Sequence, residues 1–174
     1  MPRAVWAAAF RALLQIQAGA SADPPRLQGE LQSDTFCTFS IDHLTSVTIL
    51  RADTGQAGWS QPEIHRARGE WLLAHATPGA AQAAEALFQS ALDASRRQEA
   101  LAWELRAAMS LARLWRTSSR LHDGVALLSG VLQRFTEGHT TSDSTEARGL
   151  LATMKSDSQI VRMPTRRRVQ TGRT

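Results

Sequence analysis

From Gln61 to Phe135 the apolar residues recur every three or four positions, the spacing that gathers them on one face of a helix. Four segments share the pattern. The first carries Ile64, Ala67, Trp71 and Leu72 and stops at Thr77-Pro78-Gly79. Ser60 followed by Glu63 predicts a capping box at its start, with Pro62 in the first turn. The second runs from about Ala81 to Arg97, with Ala84, Leu87, Phe88, Ala91 and Leu92 on one side. The third spans Glu99 to Arg116 and carries Leu101, Leu105, Ala108, Ala112 and Trp115 as one stripe. Trp103, Leu111 and Leu114 widen that stripe, so neighbours are expected on two sides. The fourth, Asp123 to Thr136, turns Leu127, Leu128, Val131, Leu132 and Phe135 inward and stops at Gly138. A fifth helix starts at Asp143, where Asp143 and Glu146 repeat the capping-box spacing, and buries Ala147, Leu150, Leu151 and Met154. The predicted fold class is all-α: two consecutive helix pairs and a closing helix over residues 61–154.

The flanks read differently. Residues 1–20 hold Val5, Trp6, Ala9, Phe10, Leu13, Leu14 and Ile16, with Arg3 and Arg11 as the only charges. They predict an N-terminal amphipathic helix. The alternative is a signal peptide over residues 1–22, with Ala20-Ser21-Ala22 as a cleavage-like site, which would make the protein secreted instead of cytoplasmic. Residues 21–60, opened by Pro24-Pro25, read as an irregular connector. The other reading is two short strands, Thr35 to Ile41 and Thr45 to Leu50, where β-branched and aromatic residues alternate. Residues 155–174 form a basic tail, expected to be disordered.

At 174 residues the chain is long enough for one domain with a core. It has no uninterrupted apolar run of about 18 residues, so no membrane-spanning helix is expected. The single cysteine, Cys37, excludes an internal disulfide and a cysteine-based zinc set. The net charge is +4, yet residues from Lys155 onward carry six basic groups against Asp157, a local net of +5. The helical part is therefore not basic, which weakens a nucleic-acid reading everywhere except the tail. There, Arg166, Arg167 and Arg168 are the candidate contact.

Candidate chemistry is sparse. His65 and His75 stand ten residues apart, too far along one helix to share a metal, and no His-Glu-x-x-His occurs. The histidines read as surface or helix-end residues, and no metal or cofactor is expected. Cys37, within Phe36 to Phe39, reads as a buried thiol and not as a nucleophile paired with His43. Glu99 and Glu104 sit five apart on one helix and project from different sides, so they read as solvated surface and not as paired catalytic carboxylates. Trp71 and Trp115 are candidates to line a peptide groove, although tryptophans of this kind are expected mostly in the core. Arg106, Arg113, Arg116 and Arg120 follow one side of the third helix and are a candidate basic strip for acidic peptides or phosphate. Their plainer reading is a solvated face.

The second and fourth helices repeat each other. Ala84, Phe88 and Ala91 stand 40 residues before Gly124, Leu128 and Val131. The first and third align less well, with Gly69 and Leu72 against Ala112 and Trp115. A helix pair recurring at this period marks a helical solenoid. The small-large-small spacing of Ala84-Phe88-Ala91 resembles the second-helix pattern of tetratricopeptide repeats. Glu63 to Leu73 (EIHRARGEWLL), Ala84 to Arg97 and Trp103 to Thr136 are similar to the C-terminal end of large bacterial regulators. Those proteins join an adenylate/guanylate cyclase or winged-helix module to a predicted ATPase domain and then to tetratricopeptide repeats. The resemblance covers about residues 54–154. It implies a protein-interaction module of a signalling or transcription regulator. It carries over none of the enzymatic parts, since no Gly-x-x-x-x-Gly-Lys-Ser/Thr loop is present and the only lysine, Lys155, follows no Gly-rich turn. The chain is accordingly expected to be non-enzymatic, either a self-standing module or a fragment of a longer regulator. The apolar face around Trp71 is expected to be the poorly covered end of the array.

Overall fold

A computed structural model describes residues 44–76 and 78–162. Every described regular element is helical: α1 Ser46–Asp53, a 3-10 turn Gly58–Ser60, α2 Gln61–Ala74, α3 Ala80–Arg97, α4 Leu101–Arg116, α5 Leu121–Gln133 and α6 Ser142–Arg162. The five helices expected between Gln61 and Met154 are all present. The last extends two turns beyond Met154 into what the composition assigned to the tail. The expected N-terminal helix, the Thr35 to Ile41 strand and the rest of the tail lie outside the described residues.

Thr45 to Leu50 is not a strand, and residues 44–60 are not an irregular connector. Thr45 caps α1: its hydroxyl accepts from the Thr48 amide at 3.2 Å, and the Thr45 amide donates to the Thr48 hydroxyl at 2.8 Å. Two threonines three apart thus satisfy two orphan amides, and this local bonding outweighs the β preference of the segment. The capping boxes predicted further on do not form. Ser60 has a helical backbone, and its hydroxyl donates backward to the Ala57 carbonyl at 2.8 Å. At the start of α6 the Ser144 amide donates to the Thr141 hydroxyl instead. Glu63, Asp143 and Glu146 are thereby released for other partners.

Cross-helix contacts fix the directions. Glu63 meets Arg106 and Glu70 meets Ser110, so α2 and α4 run parallel. Arg106 meets Asp143 and Arg116 meets Asp157, so α6 runs parallel to both. Arg96 and Arg134 both reach Glu104, which sets α3 and α5 antiparallel to α4. The main core lies between these sets and includes Phe88, Leu92, Leu105, Leu111, Ala112, Trp115, Leu128, Val131 and Met154. All six residues of the 40-residue correspondence, Ala84, Phe88, Ala91, Gly124, Leu128 and Val131, are buried. Gly69 explains how closely α2 approaches α3. A Cβ on it would stand 2.4 Å from the Phe88 ring, so only glycine admits that ring. A smaller cluster of Ala52, Ala57 and Ile64, flanked by Leu44, joins α1 to α2.

Helix α3 ends in a Schellman motif. The Ala100 amide donates to the Ser95 carbonyl at 2.9 Å and the Glu99 amide to the Arg96 carbonyl at 3.2 Å. This puts Glu99 at φ +55°, a left-handed conformation that disfavours a Cβ. Glu99→Gly is expected to raise stability by roughly 0.5–1 kcal/mol. A shift of the urea midpoint to higher concentration checks this; a lower midpoint would mean that the exposed Glu99 side chain contributes more than the strain costs.

Candidate functional site

The parallel helices α2, α4 and α6 line a shallow groove of about 240 Å³. Arg66 comes from α2, Arg106, Met109, Ser110 and Arg113 from α4, and Asp143 and Glu146 from α6. On α4 these four residues span two turns of one side; Leu105, Ala108, Ala112 and Trp115 face the core, and Met109, itself buried, belongs to both. The amphipathic division of that one helix therefore creates both the core and the groove.

The groove is laced by ion pairs. Glu63, only 1 % exposed, accepts two hydrogen bonds from Arg66, at 2.7 and 2.9 Å, and a third from Arg106 at 3.1 Å. Arg106 continues to Asp143 at 2.8 Å. Ser110 donates to Glu70, which also lies 3.5 Å from Arg66, and Arg113 pairs with Glu146. Burial penalises the Arg66 cation, but the hydrogen bond and charge of Glu63, with Glu70 and Asp143, hold its pKa above the ordinary arginine value. The Arg106 guanidinium also lies 5.4 Å from the centroid of Trp103, whose ring stacks on Trp59 at 6.2 Å.

The residues singled out from the sequence separate here. Arg106 and Arg113 stand together in the groove. Arg116 sits at the far end of α4, 3.9 Å from Asp157, beside a different hollow shared with Leu121 and His122. Trp115 does not line this groove; it borders a separate hollow with Gln89, Arg96 and Leu127. It is buried in the core, its indole N–H donates to Glu85 at 3.0 Å, and Arg120 covers its ring at 4.0 Å. Trp71 is exposed at the N-terminal edge and stacks on His75 at 4.1 Å. The basic strip dissolves as well. Arg106, Arg113, Arg116 and Arg120 each face carboxylates: Glu63 and Asp143, Glu146, Asp157, and Glu85 and Asp123. Sequence reasoning missed Arg66, Met109, Ser110, Asp143 and Glu146. Glu63, Arg66 and Glu70, at intervals of three and four on one side of α2, were the available signal.

Two readings of single residues are corrected. Glu104 is not solvated surface: its side chain is 2 % exposed and is clamped by Arg96 and Arg134. His65 is buried, not a surface histidine, and its Nδ1 has no hydrogen-bond partner. Burial lowers its pKa below 6.5; Asp53 opposes this, and Arg68 and Arg97 reinforce it. As pH falls below about 6.5, the unfolded chain takes up a proton that folded His65 refuses. Stability is thus expected to decline from pH 6.5 down to the lowered folded value, with a slope of at most about 1.4 kcal/mol per pH unit from this group. His65→Leu should flatten the urea midpoint between pH 7.5 and 5.5 relative to the wild type. An unchanged slope in the variant would assign the acid sensitivity to other groups.

Among the described residues no three or more His, Cys, Asp or Glu side chains are gathered as a metal site would need. No described helix is long and apolar enough to cross a membrane. Arg166, Arg167 and Arg168 lie outside the described residues. Compared with protein-family models, curated proteins and solved structures, the chain gives no match.

Proposed function

We propose that the chain is a non-catalytic protein-interaction module of the tetratricopeptide class, serving a bacterial cytoplasmic signalling or transcription regulator. Its partner is a helix or extended peptide seated across α2, α4 and α6. The observation that carries this reading is the groove itself. Three parallel helices present alternating cations and carboxylates on one face, and the outer pair, Arg113 with Glu146, is half-exposed on both sides. Such a pair contributes little to stability, so a partner's carboxylate can take the place of Glu146 at small cost. The Met109 side chain in the floor of the groove adds an adaptable apolar contact. Any catalysis of the resembling regulators would belong to domains beyond this helical array.

Panning a displayed peptide library against the full chain tests the reading. Enriched peptides are then titrated calorimetrically into wild type and Arg113→Glu. The expected result is micromolar binding, weakened about tenfold or more by the reversal, with the helical circular dichroism unchanged. No enrichment, or equal binding to the variant, would overturn it.

A further inference from the structure

Helix α1 stands apart from the main core. None of its residues belongs to the cluster around Phe88 and Leu105. A smaller cluster holds it, Ala52, Ala57 and Ile64 with Leu44 beside them. Two alanines and one isoleucine bury little apolar area. Two polar contacts add to this: the Gln61 side chain donates to the Ala52 carbonyl at 2.9 Å, and Arg68 pairs with Asp53 at 3.1 Å. That pair is more than one-third exposed on both sides and contributes little. The turn into α2 contains Gly55 and Gly58, both at positive φ, and open space surrounds the Cβ position of each. Helix α1 can therefore open without disturbing the packing around Phe88.

Gln61, Ile64 and Arg68, which these contacts reach on α2, are spaced three and four and so mark one side of that helix. His65 belongs to the same side, one turn after Gln61 and three residues before Arg68. One turn further on, Gly69 meets the Phe88 ring of α3. His65 thus lies in the seam between α1 and α3. It is buried, and its Nδ1 has no hydrogen-bond partner. The charges that act on it are Asp53 from α1, Arg68 on α2 and Arg97 at the end of α3. Asp53 is the one carboxylate among them, and both its oxygens already accept from Arg68 Nη1, at 3.3 and 3.1 Å. A proton on His65 would place a third cation beside two arginines, in a site where water is excluded from Nδ1. In water the same imidazole takes its proton at an ordinary pH.

We propose that α1 is an acid-released flap: proton uptake by His65 opens α1 from α2 while α2 to α6 stay folded. Opening uncovers the side of α2 that carries Gln61, Ile64, His65 and Arg68. Hydrated in the open form, His65 holds the proton more tightly than in the closed form. Each pH unit below about 6.5 therefore favours opening by at most about tenfold. The pH at which folded His65 finally takes its proton is then the pH at which α1 lifts.

Hydrogen exchange of the full chain at pH 7.5 and 5.5 tests this, read as protection factors so that the chemical rate of exchange cancels. Wild type is compared with His65→Leu and with His75→Gln, which removes an exposed histidine at the other end of α2. In wild type and His75→Gln, protection of the α1 amides should fall severalfold at the lower pH, up to about tenfold, with α3 and α4 unchanged. His65→Leu should show no such fall. The ring resonances of wild-type His65 are followed in parallel and should titrate with the midpoint of the α1 amides, a reading that stands even where the leucine variant does not fold. Any of four results would overturn the proposal: no fall in wild type, equal loss across α1, α3 and α4, an undiminished fall in His65→Leu, or α1 already unprotected at pH 7.5. None of these touches the groove on α2, α4 and α6, whose peptide titration stands separately.

Discussion

Phe88→Ala is expected to lower the unfolding free energy by about 3–5 kcal/mol. Phe88 is fully buried in the main core, with its ring against the backbone of Gly69. On its own helix it is flanked by Ala84 and Ala91, also fully buried. Glycine and alanine have no long side chains to swing into the space a removed ring would leave. The cavity therefore stays open, and the cost lies at the upper end of the range for such truncations. Against a total stability of roughly 5–15 kcal/mol for a domain of this kind, that is a large share. Urea unfolding followed by circular dichroism checks it. The midpoint should fall sharply with little change in the denaturant slope. A loss under about 1 kcal/mol would show that α2 and α3 do not close on this ring.

The second large effect is electrostatic. Replacing both Arg66 and Arg106 by methionine is expected to cost about 3–5 kcal/mol, because it leaves the buried Glu63 carboxylate without the cations that face it. Either single replacement should cost much less, since the other arginine remains in place. Adding Glu63→Met to the double variant should recover most of the loss, because it removes the stranded charge. Asp143 loses a partner in the same variants, but it is one-third exposed and can be hydrated. The cycle is read by urea midpoints. A double variant close to wild type, or a triple variant no better than the double, would contradict the assignment of Glu63 as the buried anchor of the groove.

These two sites differ in how far the sequence announces them. Phe88 is legible because periodicity and the recurrence at Leu128 both depend on local spacing, which a helix converts directly into a shared face. Helix existence and type from Gln61 onward follow for the same reason. Glu63 is legible as a residue and not in its role. The spacing from Ser60 matches a capping box, but Ser60 continues a 3-10 turn with a helical backbone, so no orphan amide is presented to it. Its carboxylate instead meets Arg106, 43 residues away. Glu104 is hidden likewise, since its burial depends on Arg134 crossing from the end of α5. His65 lies where α1 covers α2, and α1 itself is obscured by the β-branched residues of Thr45 to Leu50. Trp115 shows the converse. Its type suggested a groove, while its register with Leu105, Ala108 and Ala112 already placed it in the core. The pairing of Arg106 with Asp143 and Arg113 with Glu146 needs the parallel alignment of α4 and α6, which no local pattern encodes.

The measurement that bears most directly on the account is amide chemical-shift mapping of a selected peptide on the isotope-labelled full chain. The predicted result is a cluster of shifted resonances around Arg66, Ser110, Arg113 and Glu146, across α2, α4 and α6. Shifts confined to α3 and α5, or to α1 and the exposed end of α2, would contradict the groove as the binding face.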